Sequence, residues 1–247
     1  MGSPFLKFLK PPLIGICAHA PRAGKTTAAE ALLALGSNWV RLPLAKPIKE
    51  LTIDLLLQLG LDLPRAARYV YDAKEEVIPE LGVTSRHMQR TLGTEWGRQQ
   101  INPRIWLDCW LQEYRQATLS GLPVVVDDVR FPDEADLIKA QGGELWLIGH
   151  PTGDIQQGVH ASEGGLVGYS GFDLTISNRG TIDDLVQAIQ AEARLRFSSW
   201  ITSAGQPPAD RSVLDEPLPA LRPAIRRLLQ PLRRMRRSRS THASGHQ

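Results

Sequence analysis

The sequence predicts an α/β protein with a central parallel sheet, and three features support this prediction. An apolar strand at residues 13–17 enters a glycine-containing loop and a helix, a second apolar strand at residues 122–128 ends in two carboxylates, and strand and helix patterns alternate along the chain. Strands separated by helices favour parallel pairing with helices on both faces of the sheet. Such sheets bind ligands at the carboxyl ends of their strands.

The elements follow in order along the chain. After the first strand, an amphipathic helix ends at Gly36, a residue suited to the left-handed conformation at a helix C-terminus. The next helix has Pro47 in its first turn, and Thr181 is placed to cap the last one. The predicted strands are residues 13–17, 40–44, 122–128, 144–149 and 172–178, and the predicted helices are residues 27–35, 46–59, 65–72, 85–92, 105–117, 133–141 and 181–195.

The loop after the first strand contains Gly24-Lys25-Thr26-Thr27 and predicts a site for nucleotide phosphates. Backbone N–H groups and the positive end of the next helix attract phosphate oxygens, the lysine adds a full charge and a hydroxyl can reach magnesium. The usual pattern places glycine where this chain has His19, so we expect a slightly reshaped loop. The alternative is an ordinary strand–turn–helix corner in which Lys25 points into water.

Length and composition allow one substantial hydrophobic core. The chain has 247 residues, 42% of them hydrophobic, and two cysteines, Cys17 and Cys109, which we expect to be buried free thiols in a reducing cytoplasm. No apolar stretch reaches the roughly 18 residues that span a bilayer. Charges interrupt the apolar part of the first residues, which argues against a secretion signal.

The charge is distributed unevenly along the chain. Residues 196–247 contain ten arginines and three acidic residues, or +7, whereas residues 1–195 carry 19 basic and 23 acidic residues, or −4. Proline and serine in the tail predict a linker over residues 198–219 and a short helix over residues 224–237. A tail of this composition can contact nucleic acid, an acidic partner or surface, or a membrane. A disordered, solubilising extension is the alternative.

A second chemical cluster follows the strand at residues 122–128. An acidic residue at the end of a buried strand beside a phosphate loop commonly holds magnesium, directly or through water, and we assign this role to Asp128. Arg130 offers a planar fork of donors for phosphate, and Glu134 lies near the start of the next helix. The alternative is that Glu134 only caps this helix or pairs with Arg130.

A third cluster runs from Ser85-Arg86 through Leu92-Gly-Thr-Glu-Trp-Gly-Arg98 to Ile105-Trp106. Together with the phosphate loop, Asp128-Val-Arg-Phe-Pro-Asp-Glu134, His160-Ala-Ser-Glu163 and Asn178-Arg-Gly-Thr181, it resembles the phage-type deoxynucleoside monophosphate kinases over roughly residues 13–193. The motifs are short, but they occur in the family's order.

The resemblance implies the P-loop kinase fold, a three-layer sandwich with a central parallel sheet and helical substrate-binding insertions. It implies transfer of the γ-phosphoryl group of ATP, with Mg²⁺, to a deoxynucleoside monophosphate in the cytoplasm of a cell or of a phage host. The chain then divides into an N-terminal extension (residues 1–12), a kinase-like domain (residues 13–195) and a basic tail (residues 196–247). A homodimer is compatible with the sequence, which does not decide the question.

The resemblance also assigns residues to the site. Lys25 would bridge the β- and γ-phosphates, and Thr26 and Asp128 would meet magnesium. Trp106 would stack on the base, although its helical spacing also suits a core residue. The catalytic groups would be Lys25, Asp128, Arg86 and Arg130, the ATP site would consist of Arg22, Ala23, Gly24, Lys25, Thr26 and Thr27, and the monophosphate site would consist of Arg86, Gly93, Thr94, Trp106, Arg130 and Glu134. Arg98 is a weaker candidate for this site, because an exposed helical arginine usually belongs to a solvated face.

The sequence departs from the family pattern at two places, Thr26 and residues 150–172. Thr26 occupies a position where many members have Asp, which brings the loop closer to the general phosphate-loop pattern. Residues 150–172, where a mobile lid is expected, are rich in glycine and contain His160 but neither lysine nor arginine. Charge at a lid would therefore come from elsewhere, such as Arg22, Arg130 or the tail.

Two other functions remain open from the sequence alone. One is another P-loop kinase, acting on a small molecule such as a dephosphorylated coenzyme, which the set of Arg86, Gly93, Thr94 and Arg130 disfavours. The other is a nucleotide-dependent protein that binds nucleic acid through its arginine-rich tail and uses the phosphate loop as a switch.

Overall fold

A five-stranded parallel sheet forms the centre of the computed structural model, which describes residues 10–20, 23–36, 38–149 and 166–203. Its strands lie in the order β2-β5-β1-β6-β7, and a separate two-stranded hairpin pairs β3 with β4. The strands are β1 (Leu13–Cys17), β2 (Val40–Arg41), β3 (Val77–Ile78), β4 (Val83–Thr84), β5 (Val124–Val126), β6 (Glu144–Gly149) and β7 (Leu174–Ser177).

Helices cover both faces of this sheet, so the predicted α/β class and parallel sheet are confirmed. The helices are α1 (Lys25–Leu33), α2 (Lys46–Gln58), α3 (Leu63–Tyr71), α4 (Ser85–Arg90), α5 (Ile105–Leu119), α6 (Pro132–Ala140), α7 (Ile182–Arg196) and α8 (Ser198–Ser203). Helices α1 and α7 share one core with the sheet, and α5 and α6 share the other. The central strand β1 is apolar throughout because both of its faces are covered.

A largely helical region stands beside the sheet and contains α2, α3, α4 and a π-helical segment. The π-helical segment, Thr91–Ile101, continues directly from α4. A small core of its own, built around Leu56, Tyr69 and Ile78, holds α2, α3 and the hairpin together. The predicted helical insertion is therefore present in the fold.

Several predicted boundaries differ from the structure. The predicted strand at residues 122–128 pairs only over Val124–Val126, and the predicted helix at residues 85–92 extends through the π-helical segment. Residues 198–203, assigned above to a linker, form α8, and Trp200 packs against Trp39 with ring centroids 6.5 Å apart. Aromatic contacts with the core thus keep the chain folded beyond α7.

The cysteine prediction is correct for the bonding state and half correct for burial. Both cysteines are free, but Cys17 is buried and Cys109 is exposed. The reason is the orientation of α5, which directs Trp106, Leu107 and Trp110 inward and leaves Cys109 on its outer side. Within the described ranges, no helix is both long and apolar enough to cross a membrane.

Some predictions fall outside the described residues. These are the first nine residues, Arg22 in the phosphate loop, residues 150–165 with His160, and the tail from residue 204 onward with its predicted helix.

Candidate active site

The phosphate loop connects β1 to α1 and depends on a glycine at position 24. Gly24 has φ of 100°, in the left-handed region that favours glycine. A Cβ atom there would lie 2.8 Å from Cδ2 of Leu185 and 2.9 Å from Nδ2 of Asn178, so space also requires glycine. Gly24 at the N-cap has no side chain that could cap α1, and the first backbone N–H groups of a helix point toward its N-terminus, here the loop. This is the geometry of an anion site.

Asn178 lies beside this loop, and the sequence alone assigned it no role. It follows β7 directly, and its Nδ2 donates a hydrogen bond to the carbonyl of Ala23 at 3.0 Å. The carboxyl end of β7 therefore holds the turn that precedes Lys25. Earlier in the loop, the ring of His19 meets the ring of Phe172 edge-on, with ring centroids 6.0 Å apart.

Lys25 and the two threonines stand at the start of α1. Lys25 and Thr27 are half-buried, whereas Thr26 is exposed. The charge of Lys25 acts on Cys17: burial is the main reason that the pKa of this thiol rises to about 12, and Lys25 opposes the rise. The ammonium group thus influences the carboxyl end of β1, where a phosphate group bound in the loop would lie.

The two aspartates after β5 make different contacts. The Asp128 carboxylate accepts hydrogen bonds from the backbone N–H groups of Leu44 at 2.7 Å and Ala45 at 3.0 Å, which fixes the connection from β2 to α2. Burial raises the pKa of Asp128, and these two amide hydrogen bonds oppose the rise. Asp127 is buried and pairs through Oδ2 with Arg41, while its Oδ1 has no hydrogen-bond partner in the described part of the chain.

Glu134 organises the turn that presents Arg130. Its Oε2 accepts hydrogen bonds from the backbone N–H groups of Arg130 at 2.8 Å and Phe131 at 3.2 Å, as a cap of α6 does. Arg130 itself is exposed, and its side chain forms no ion pair with Glu134, whose partner is Arg98. Burial, as the main cause, raises the pKa of Glu134 to about 7, with a further contribution from Asp128.

Arg98 is the ion-pair partner of Glu134, so its side chain does not belong to a purely solvated face. It extends from the π-helical segment to Oε1 of Glu134 at 3.0 Å and to Asp133 at 3.3 Å. Its guanidinium lies 5.2 Å from the centre of the Phe131 ring. Arg98 therefore connects the π-helical segment to the turn that contains Arg130.

The π-helical segment itself contains Gly93 and Thr94, and Trp106 supports it from α5. The indole Nε1 of Trp106 donates a hydrogen bond to the Gly93 carbonyl at 2.7 Å, and any side chain at Gly97 would overlap the ring. Trp106 is only 5% exposed, while its neighbour Trp96 is 40% exposed. The structure thus places Trp106 inside the protein and Trp96 at the surface, with π-helical geometry of the kind often found at functional sites.

Arg86 lies on α4 at the helical side. Its side chain is 58% exposed and pairs with Glu75, itself 73% exposed, at 2.8 Å. An exposed pair of this kind contributes little to stability and can exchange partners. A phosphate group could therefore replace Glu75 as the partner of Arg86.

The predicted site residues fall into two groups, one at the carboxyl ends of the strands and one in the helical region. Elements that follow or begin at the carboxyl ends of β1 and β5 contain Lys25, Thr26, Asp128, Arg130 and Glu134, and the helical region contains Arg86, Gly93 and Thr94. Within the described ranges, no group of three or more His, Cys, Asp or Glu side chains could hold a metal ion on its own. The arrangement suits a ligand that contributes its own oxygens to a hydrated cation.

Comparisons with known proteins point to one family. A sequence model described as deoxynucleotide monophosphate kinase matches residues 66–189. A putative deoxynucleotide monophosphate kinase of Acanthamoeba polyphaga mimivirus is 29% identical over 181 residues, which cover 68% of this chain and 89% of the relative. A deoxynucleoside-5'-monophosphate kinase of Escherichia phage T5 is 36% identical over 70 residues, which cover 28% of this chain and 27% of the relative.

Proposed function

Since this chain belongs to the deoxynucleotide monophosphate kinase family, we propose that it transfers the γ-phosphoryl group of ATP to a deoxynucleoside monophosphate. The products are ADP and a deoxynucleoside diphosphate. One observation carries the proposal beyond family membership: the start of α1 with Lys25 and the turn that presents Arg130 follow adjacent parallel strands. Two polyanions must meet in this reaction, so positioning and charge neutralisation supply most of the catalysis.

On the ATP side, the phosphate loop binds the donor. Backbone N–H groups at the start of α1 bind phosphate oxygens, and Lys25 neutralises charge between the β- and γ-phosphates. Gly24 keeps the backbone turn tight, and Ala23 is held in place through Asn178. Thr27 and Arg22 complete the set of residues that we assign to ATP binding.

The residues present also fit a magnesium ion, which Thr26 and Asp128 would hold. Thr26 offers an exposed hydroxyl, and the buried, unpartnered Oδ1 of Asp127 offers a further oxygen for a coordinated water. The ion would neutralise charge on the transferred phosphoryl group. Because each Asp128 oxygen already accepts one amide hydrogen bond, we assign Asp128 a contact through water.

On the acceptor side, Arg130 and Arg86 bind the phosphate that attacks ATP. Glu134 holds the Arg130 backbone, which leaves the guanidinium side chain to orient the attacking oxygen. Gly93 and Thr94 would contact the nucleotide from the π-helical segment. We assign Trp106 to support of this segment through the Gly93 carbonyl, since its ring is enclosed, and base stacking to the exposed ring of Trp96.

The family match favours this function over the two alternatives from the sequence. A kinase for another small molecule would have to phosphorylate a different acceptor. A switch that binds nucleic acid would show salt-dependent binding that disappears when the tail is removed. Truncation after residue 203 tests this cleanly, because Phe197 and Trp200 pack on the core and must remain.

One assay tests the proposal directly. The purified protein is incubated with ATP, magnesium and each of the four deoxynucleoside monophosphates, and ADP and the new diphosphate are measured. We expect turnover with at least one of them. Absence of turnover with all four would refute the proposed reaction, and the assay with ribonucleoside monophosphates measures discrimination by the sugar.

A further inference from the structure

His19 is a residue of the phosphate loop to which the proposed function gives no role. It stands where the usual phosphate-loop pattern has glycine, so its imidazole is a group that this chain adds to the loop. The residue is half-buried, and its ring meets the ring of Phe172 edge-on with centroids 6.0 Å apart. A side chain added to this loop and packed in one orientation can act on a bound nucleotide.

The contact with Phe172 shows which side of the loop the imidazole occupies. Phe172 meets Tyr169 with ring centroids 5.5 Å apart, and the Tyr169 hydroxyl donates a hydrogen bond to Asp136 on α6 at 3.0 Å. Both rings pack against the core that α5 and α6 share with the sheet, whereas α1, which begins with Lys25, packs on the opposite face. His19 and Lys25 therefore flank the carboxyl end of β1 from opposite faces of the sheet.

The two nitrogens of the His19 ring have different surroundings. Nδ1 is buried and has no hydrogen-bond partner in the part of the chain that the structure describes, whereas Nε2 is not enclosed in this way. A neutral imidazole carries one N–H group, and a buried N–H without an acceptor is unfavourable. The ring proton therefore belongs on Nε2, which becomes a hydrogen-bond donor on the open side of the ring.

The position of this donor indicates which phosphate it can reach. Helix α6, beside which the imidazole lies, begins directly after the turn that presents Arg130. In the proposed reaction the acceptor phosphate lies at Arg130 and the β- and γ-phosphates lie at Lys25, so the γ-phosphate is the one between them. A hydrogen bond to its ionised oxygens is stronger than one between neutral groups.

We propose that His19 donates a hydrogen bond from Nε2 to the γ-phosphate of bound ATP and orients the phosphoryl group for transfer. This inference rests on the proposed function, in which ATP is the phosphoryl donor. Lys25 neutralises charge from the α1 side, and His19 fixes an oxygen from the α6 side. The histidine is thereby a specific phosphate ligand at a position where the usual loop has no side chain.

Calorimetric titration with ATP and with ADP, each with magnesium, tests the contact without turnover. His19→Phe keeps a ring against Phe172 but removes the donor, His19→Gln offers an amide N–H in place of Nε2, and His87→Phe on α4 is the matched control at an exposed histidine outside the loop. We expect His19→Phe to weaken ATP binding about ten- to a hundredfold, the value of one hydrogen bond to a charged group, and ADP binding much less. His19→Gln should recover most of this loss, and His87→Phe should bind both nucleotides like the wild type.

Long-range ¹H–¹⁵N correlation spectra of protein labelled with ¹⁵N-histidine test the tautomer independently of activity. At about pH 8, where histidines in water are neutral, the signals that disappear in His19→Phe or His19→Gln identify His19. We expect the proton on Nε2 and a larger shift of this nitrogen with ATP than with ADP. A proton on Nδ1, or equal shifts with the two nucleotides, would overturn the inference.

The binding data decide the inference separately from the proposed function. Equal ATP affinities of His19→Phe and the wild type, or equal losses of ATP and ADP affinity in His19→Phe, would refute the contact with the γ-phosphate. If the wild type binds ATP through His19 but phosphorylates no deoxynucleoside monophosphate, the contact is supported and the proposed reaction fails. A wild type that does not bind ATP refutes both.

Discussion

Replacement of Glu134 by glutamine should remove a large part of the pH dependence of stability. Burial is the main cause that raises the pKa of Glu134 from 4.5 to about 7, while the amides of Arg130 and Phe131 and the charge of Arg98 oppose it. Between these values the folded state keeps a proton that the unfolded state releases. The stability from this group is therefore fully present below the unfolded pKa and is lost as the pH rises through about 7.

The size of the effect follows from the two pKa values. The difference between 4.5 and about 7 corresponds to about 3 kcal/mol of unfolding free energy, and screening by solvent removes little because the side chain is only 7% exposed. Urea unfolding of the wild type and Glu134→Gln should be measured from about pH 5 to about pH 8. Glutamine retains an oxygen for the Arg130 and Phe131 amides, so the cap survives. Equal pH slopes for the two proteins would refute this account.

Three further substitutions test other parts of the site. Lys25→Ala should lower kcat by about two to three orders of magnitude with an unchanged melting temperature, and a modest loss would remove Lys25 from the transition state. Gly24→Ala should cost at least about 1 kcal/mol of stability and raise KM for ATP, because φ of 100° and the closeness of Leu185 and Asn178 exclude a side chain. Denaturant unfolding measures the loss of stability, and steady-state kinetics measure KM. Arg98→Met should move the pH dependence attributed to Glu134 to higher pH, since Arg98 lowers that pKa; an unchanged midpoint would contradict the pairing.

The sequence predicts the sheet well because its strands are local apolar patterns. β1, β5 and β6 appear as continuous apolar runs, as expected for strands covered on both faces. The hairpin β3–β4 was missed because strands of two residues are too short to show a period. The π-helical segment was also missed, since hydrogen bonds to the fifth residue along the chain have no distinct periodic pattern and depend here on Trp106 packing against Gly97.

The site shows the same division between local and distant information. Lys25 could be found because its phosphate loop is contiguous, and Thr181 because a capping box spans four residues. The contact of Asn178 with Ala23 and the ion pair of Arg98 with Glu134 join distant parts of the chain. No local signal distinguishes such an arginine or asparagine from an exposed one, so only the fold reveals these contacts.

The three acidic residues Asp127, Asp128 and Glu134, which follow β5, each hold a different segment of the chain in place, and this explains their spacing. Asp127 pairs with Arg41 at the end of β2, Asp128 holds the start of α2, and Glu134 joins α6 to the π-helical segment through Arg98. Each carboxylate therefore ties a different segment to one strand end, while Arg130 between them has no ion-pair partner among the described residues. A cation held by its backbone but free at its guanidinium can follow a phosphate during transfer. The same links join the helical region to the turn that presents Arg130.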